Sequence, residues 1–174
     1  MKELFEANSL SGQIQVINTF AGDKSGSMFA SQEECGYVQA VPVSSERMMS
    51  VQMSSIDDFC NETSVIPDLL KIDVEGFEHE VLLGAQNVLR IHMPIIFLEL
   101  HLFFLENRGI DPKDTLAILK KSSYKLYDLS GCLKSPEQHI NTFQRIIKIL
   151  ALHSDFPLPD FMGKVSHSTR IRNS

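Results

Sequence analysis

Apolar and polar positions alternate most informatively between residues 69 and 101. Leu69, Leu70, Ile72 and Val74 make a short, almost continuous apolar run that breaks into acid at Asp73 and Glu75. Gly76 follows, and then Phe77, Val81, Leu82, Ala85, Val88 and Leu89 recur at helical spacing up to Arg90. Pro94 stops that helix. Ile95, Ile96, Phe97, Leu98 and Leu100 form a second apolar run, interrupted by Glu99 and followed by His101. Strand, helix and strand within about 30 residues predict a βαβ unit with parallel strands. In such sheets ligands bind beyond the carboxyl ends of the strands, where this unit places acid and imidazole.

The pattern is weaker on either side. Lys2 to Leu10 reads as the end of a helix, with Leu4, Phe5 and Leu10 apolar and Ser11-Gly12 as its stop. Ile14 to Phe20 reads as a strand, followed by a turn from Ala21 to Gly26. Residues 27–58 carry short alternating runs at Tyr37 to Val43 and Met48 to Met53, which fit a hairpin-like insertion or edge strands. Asp57 and Asp58 are expected to cap or begin a short helix through Cys60. Further on, Asp111-Pro112 has the form of an N-cap with proline at the first helical position, and Thr115, Leu116, Ile118 and Leu119 carry the helix to Lys121. Tyr124 to Leu129 alternates as a strand with Ser130-Gly131 as its turn, whereas Gln144 to Leu152 fits either a strand or a helix. One domain over 1–155 and a Pro-containing, polar tail over 156–174 complete the expected organisation.

Composition narrows the partners. The net charge of −6 argues against a general grip on nucleic acid, which requires a basic face for phosphates. No apolar run approaches the roughly 20 residues of a membrane helix, so no membrane span is expected. The first residues carry acid where a signal peptide would be apolar. Three cysteines without metal-ligand spacing suit reduced thiols, and a cytoplasmic location is expected.

The stretch "LLKIDVEGFEHEVLLGA" followed by "MPIIFLELH" closely resembles the signature of the FkbM-type family of S-adenosylmethionine-dependent methyltransferases. The turn Ala21-Gly22-Asp23-Lys24-Ser25-Gly26 and the Ser55-Ile56-Asp57 step fit the same order of elements. The resemblance implies an α/β, class I methyltransferase-like (Rossmann-like) fold: a mostly parallel sheet with helices on both faces, here lacking the first two βα units. It implies S-adenosylmethionine as cofactor and a small-molecule acceptor. The family's glycine loop has no counterpart, because the nine glycines include no G-x-G. A truncated gene model, or a chain that has lost that half, is therefore expected, inactive by itself. The strand over Leu69 to Val74 would then have an unpaired edge, through which self-association is expected.

Methyl transfer to a hydroxyl needs the acceptor held in place and its proton removed. Asp73 and Glu75 are two residues apart at a strand end and should leave on one side if the strand persists; Glu99 and His101 stand likewise on the neighbouring strand. These four are the candidate catalytic residues. Their carboxylates would also suit magnesium or manganese, although no metal ligand is assigned. Each has a structural alternative. Asp73 could cap the following helix, Glu75 could serve its dipole, and Glu99 could pair with Lys71. His79 reads as solvated, on the polar face of its helix. By family position, Ala21, Gly22 and Asp23 are the candidate cofactor residues, against a plain turn of Gly and Asp. The function the resemblance implies is O-methylation of a hydroxyl on a sugar, lipid or natural-product-like molecule. The alternative is a non-catalytic Rossmann-like interaction module or an inactive fragment.

Overall fold

The computed structural model describes residues 12–32, 38–40, 48–129, 136–140 and 145–156. The helix expected over Lys2 to Leu10, the Ser130-Gly131 turn and the tail beyond residue 156 lie outside the described residues.

Among the described residues there are two four-stranded sheets. The first comprises β1 (Phe20–Ala21), β2 (Gly26–Gln32), β3 (Val38–Ala40) and β4 (Met48–Ser54), in the order β1-β4-β2-β3. The second comprises β5 (Leu69–Ile72), β6 (Ile95–His101), β7 (Tyr124–Asp128) and β8 (Ile146–His153), in the order β5-β6-β8-β7. The expected mostly parallel sheet is corrected here. Among the described residues only β1–β4 and β5–β6 pair in parallel, while β2–β3, β2–β4, β6–β8 and β7–β8 are antiparallel. The βαβ unit is as expected, but β8 inserts beside β6 in the opposite direction. Most of the stretch from Gln144 to Leu152, ambiguous by periodicity, lies in this strand, which runs on to His153.

The strand expected over Ile14 to Phe20 is reduced to Phe20–Ala21, paired with Met53 and Ser54 of β4. Ile14, Val16 and Ile17 are exposed. Alternation alone does not make a strand where no neighbour pairs with the backbone.

The helices are α1 (Ile56–Thr63), α2 (Glu78–Leu83), α3 (Gln86–Ile91), α4 (Leu102–Asn107), α5 (Pro112–Lys121) and α6 (Pro136–His139). In α5 the Asp111 carboxylate accepts from Lys113 N at 2.8 Å, with proline in the first turn. The single helix expected from Phe77 to Arg90 is divided at Gly84-Ala85. There the first sheet docks on the second. Gly22 at the end of β1 approaches Gly84 so closely that a Cβ on Gly84 would overlap the Gly22 carbonyl oxygen. Asp57 N donates to Gly84 O at 2.8 Å, and the Asp57 carboxylate accepts from Asn87 N and Val88 N, each at 2.9 Å. Asp57 and Asp58 begin α1, as one form of the expectation had it, with Ser55 as its cap; the Asp57 carboxylate in addition caps α3.

One core lies over the second sheet. Ile96, Leu98 and Leu100 of β6 stand in register with Ala151, Ile149 and Ile147 of β8. Val81, Leu82, Ala85 and Leu89 from α2 and α3, Leu105 from α4, and Leu116 and Leu119 from α5 pack with them, all buried. Each such leucine contributes about 1.5–3 kcal/mol by leaving water. The alternate positions of the same strands, Lys71, Glu99 and Lys148, carry charge. The core thus fixes the register that brings the ends of β5 and β6 together.

Candidate functional site

The hydrogen-bonded part of β5 stops at Ile72, and the chain then turns sharply. Glu75 has φ 50° and Gly76 φ 100°, two successive residues in the left-handed half of conformational space. Glycine is needed at 76, since a Cβ there would stand 2.5 Å from Phe104 Cβ at an unfavourable φ. Arg108, just after α4, holds this turn from outside. Its guanidinium donates to Gly76 O and to Glu80, and lies 3.9 Å from the centre of the Phe77 ring.

From the charged positions of β5, β6 and β8 a chain of contacts runs to Asp73 and His101 at the ends of β5 and β6. Glu99 Oε1 accepts from Lys71 Nζ at 3.0 Å, and its other oxygen lies 3.7 Å from Lys148 Nζ. Lys71 Nζ also reaches Asp73 Oδ2 at 3.1 Å. Partial burial works against the Lys71 charge, but the bonds to Glu99 and Asp73 outweigh it and raise the ammonium's pKa above its usual value. Asp73 turns its second oxygen, Oδ1, toward His101 Nε2 at 3.7 Å. His101 is buried, and its Nδ1 lies 2.7 Å from Glu78 Oε1.

Three of the four candidate catalytic residues therefore share one network: Asp73 and His101 face each other, and Glu99 joins through Lys71. The pairing of Glu99 with Lys71 is as expected. Glu75 stands apart, exposed and outside these contacts, because β5 ends before it and strand alternation no longer sets its direction. Nor does Asp73 cap the next helix, for α2 has no side-chain cap. His79, expected in solvent, is half-buried with Nδ1 3.1 Å from Thr115 Oγ1 on α5. Glu78 was not among the candidates. Its signal was present, since position 78 keeps helical spacing with Val81, Leu82 and Ala85 and so belongs to the core face.

Ala21 ends β1, and Gly22 and Asp23 begin the turn after it. Ala21 pairs with Ser54, Gly22 N donates to Ser54 O at 3.1 Å, and Asp23 is exposed. Ser25 ties the same turn to α1 by donating to Asp58 Oδ2 at 2.6 Å. That bond, with the one from Ser55, lowers the Asp58 pKa. Among the described residues no group of three or more His, Cys, Asp or Glu is placed to hold a metal ion, and no helix is long and apolar enough to cross a membrane.

Comparison with known proteins bears on this arrangement. The chain is 35% identical over 81 residues to the hexuronic acid methyltransferase AglP of Haloferax volcanii, a match covering 46% of the chain and 31% of that protein. A crystal structure of methyltransferase FkbM from Methylobacillus flagellatus aligns with 87% of the chain and 31% of its own length, at 18% identity and a TM-score of 0.48. The chain thus spans about a third of the length of each relative it matches. A family model described as the methyltransferase FkbM domain matches residues 7–126, which include the β5 signature, the divided helix, β6 and α5. By that match, the chain belongs to the FkbM methyltransferase domain family.

Proposed function

We propose that this chain carries the acceptor-activating side of an S-adenosylmethionine-dependent O-methyltransferase, acting on a hydroxyl of a sugar, lipid or natural-product-like small molecule. The observation that supports this most is the pair at the strand ends, His101 Nε2 and Asp73 Oδ1, 3.7 Å apart. That gap is too long for a hydrogen bond between them, and it leaves Nε2 open to an acceptor hydroxyl about 2.8 Å away, with Asp73 beside the ring. There the hydroxyl donates to Nε2, and His101 removes its proton as the oxygen becomes nucleophilic. Asp73 then faces the imidazolium that results. Lys71, shared between Asp73 and Glu99, keeps the Asp73 carboxylate from swinging away. Glu75, exposed on the same turn, is placed to meet the rest of an acceptor rather than the reacting atom.

S-adenosylmethionine would supply an electrophilic methyl group. The described residues do not by themselves fit it. Gly22, the glycine at the centre of the candidate cofactor turn, is buried against Met53 and Gly84, so its lack of a side chain serves packing. Of that turn, Asp23 remains exposed as a contact for the donor.

A base matters for a hydroxyl and is redundant for a carboxylate, already an oxyanion near neutral pH. The named substrate of the Haloferax volcanii relative offers both kinds of oxygen. The test uses the natural polypeptide that carries this chain, with labelled S-adenosylmethionine and glucuronic acid or its methyl glycoside. Incorporation into an alkali-stable ether, lost in His101→Ala and reduced in Asp73→Asn, is expected. An alkali-labile ester formed equally well by both variants would refute the assignment of His101 as base.

A second reading, an interaction module that associates through its sheet, is favoured by one feature. Within the described residues β5 is an edge strand, and Leu69 upon it is exposed. Paired copies on size-exclusion chromatography support that reading. A monomer that melts sharply at all concentrations counts against it.

A further inference from the structure

Glu78 is fully buried on the first turn of α2. Its Oε1 accepts from Gly76 N at 3.0 Å and lies 2.7 Å from His101 Nδ1. Its Oε2 is buried and has no hydrogen-bond partner among the described residues. Burying a carboxylate with one oxygen unsatisfied is unfavourable, and a position that only filled space would be better served by leucine or methionine. The arrangement therefore asks for a role that requires the carboxylate.

The backbone N–H of Gly76 can only donate, so it turns Oε1 into an acceptor. An ionised carboxylate has no proton to give in return. The ring nitrogen facing it, Nδ1, must then carry the proton of the neutral imidazole. The lone pair is left on Nε2, the nitrogen on the side of Asp73. Besides these two carboxylates, the ring's neighbour is Phe104, with its centroid 6.1 Å away and tilted by 48°.

We infer that Glu78 is a positioning residue: by accepting from Nδ1–H it fixes the tautomer of His101 that leaves Nε2 free to take a proton from a bound hydroxyl. Its negative charge also stabilises the positive charge that forms on the ring during that transfer. The same logic orients a histidine base by a buried carboxylate in hydrolases of unrelated fold. Gly76 makes the device more rigid here, because one backbone donor and one ring nitrogen share a single oxygen. The inference rests on the reading of His101 as the base, but its structural half can be measured without turnover.

The experiment has two arms. In the first, the chain is labelled with 15N, and long-range nitrogen–proton correlations assign the neutral tautomer of each of its six histidines. The His101 signals are identified by their loss in His101→Gln. A proton on Nδ1 is expected; a proton on Nε2 overturns the inference. In the second, Glu78→Gln keeps the shape and an oxygen for Gly76 N but removes the charge. In the natural polypeptide that carries the chain, with S-adenosylmethionine and glucuronic acid, kcat is expected to fall about 10–100-fold. KM for the sugar should stay within about twofold, with the melting temperature unchanged. An unchanged kcat, or a loss confined to KM, overturns the role given to the Glu78 charge; because glutamine keeps the accepting oxygen, the tautomer is decided by the first arm. If no sugar is methylated by the unsubstituted protein, the assignment of His101 as base fails, while the tautomer measurement still decides what Glu78 does to the ring.

Discussion

Replacing Gly84 by alanine sets two effects against each other, and the structure decides between them. Gly84 closes α2 with φ −78° and ψ 2°, a conformation alanine adopts without strain. On propensity alone, alanine for glycine near a helix end should stabilise by up to about 1 kcal/mol. The added methyl, however, would overlap the carbonyl oxygen of Gly22 and stand 3.0 Å from Gly22 C and from Ser55 Cβ. Two of these obstacles are backbone atoms, which cannot rotate away. Relief therefore requires the end of β1 to separate from the α2–α3 junction. That separation stretches the Asp57 N–Gly84 O bond and the two bonds by which Asp57 caps α3. Each hydrogen bond carries about 0.5–1.5 kcal/mol, and a lost cap about 1. After the propensity gain is subtracted, a net loss of about 2–3 kcal/mol is expected. Urea denaturation followed by far-ultraviolet circular dichroism measures it, with Gly12→Ala as control, since nothing lies within 4 Å of a Cβ at Gly12. A Gly84→Ala chain as stable as the parent would refute the claim that this contact holds the two sheets together.

Two further outcomes follow from the same geometry. Asp57→Ala should lower stability by about 1–2 kcal/mol, mainly by freeing the N–H groups of Asn87 and Val88, and raised hydrogen exchange at those amides checks it. Tyr124 donates to Pro94 O at 3.0 Å, and burial raises its pKa well above the usual phenol value of about 10. Above pH 10 the unfolded chain loses this proton and the folded one keeps it, so stability falls as pH rises. Tyr124→Phe should be less stable at neutral pH by about 1 kcal/mol, yet show a flatter decline from pH 10 upward; parallel slopes would contradict this.

What the sequence disclosed was whatever depends on neighbours in the chain. The β5 and β6 runs, the Asp111-Pro112 start of α5 and the alternation of β7 are set by local pattern. What it concealed depends on partners far away. The break at Gly84 comes from the approach of Gly22, 62 positions earlier in the numbering, and helical periodicity passes through it unmarked. Asp57 was identifiable as a cap, but the helix it caps begins at Gln86. The direction of β8 was invisible because periodicity carries no sign, and so a mixed sheet read as parallel. At the site, Asp73 and His101 were legible as strand-end residues. Glu75 was not placed correctly, since it lies past the point where β5 stops. Glu78 was overlooked because an acid at the start of a helix is ordinarily on the surface.

The turn at Glu75-Gly76 is held by two side chains: Arg108 reaches back to the Gly76 carbonyl, and Glu78 accepts from Gly76 N. Little of the leucine-rich interior is committed to keeping that turn in its left-handed shape. Warming should therefore release the latch first, while both sheets are still paired. Competence for proton removal would then disappear several degrees below bulk melting, and a protease would find the segment around Phe77 before any other part of the βαβ unit.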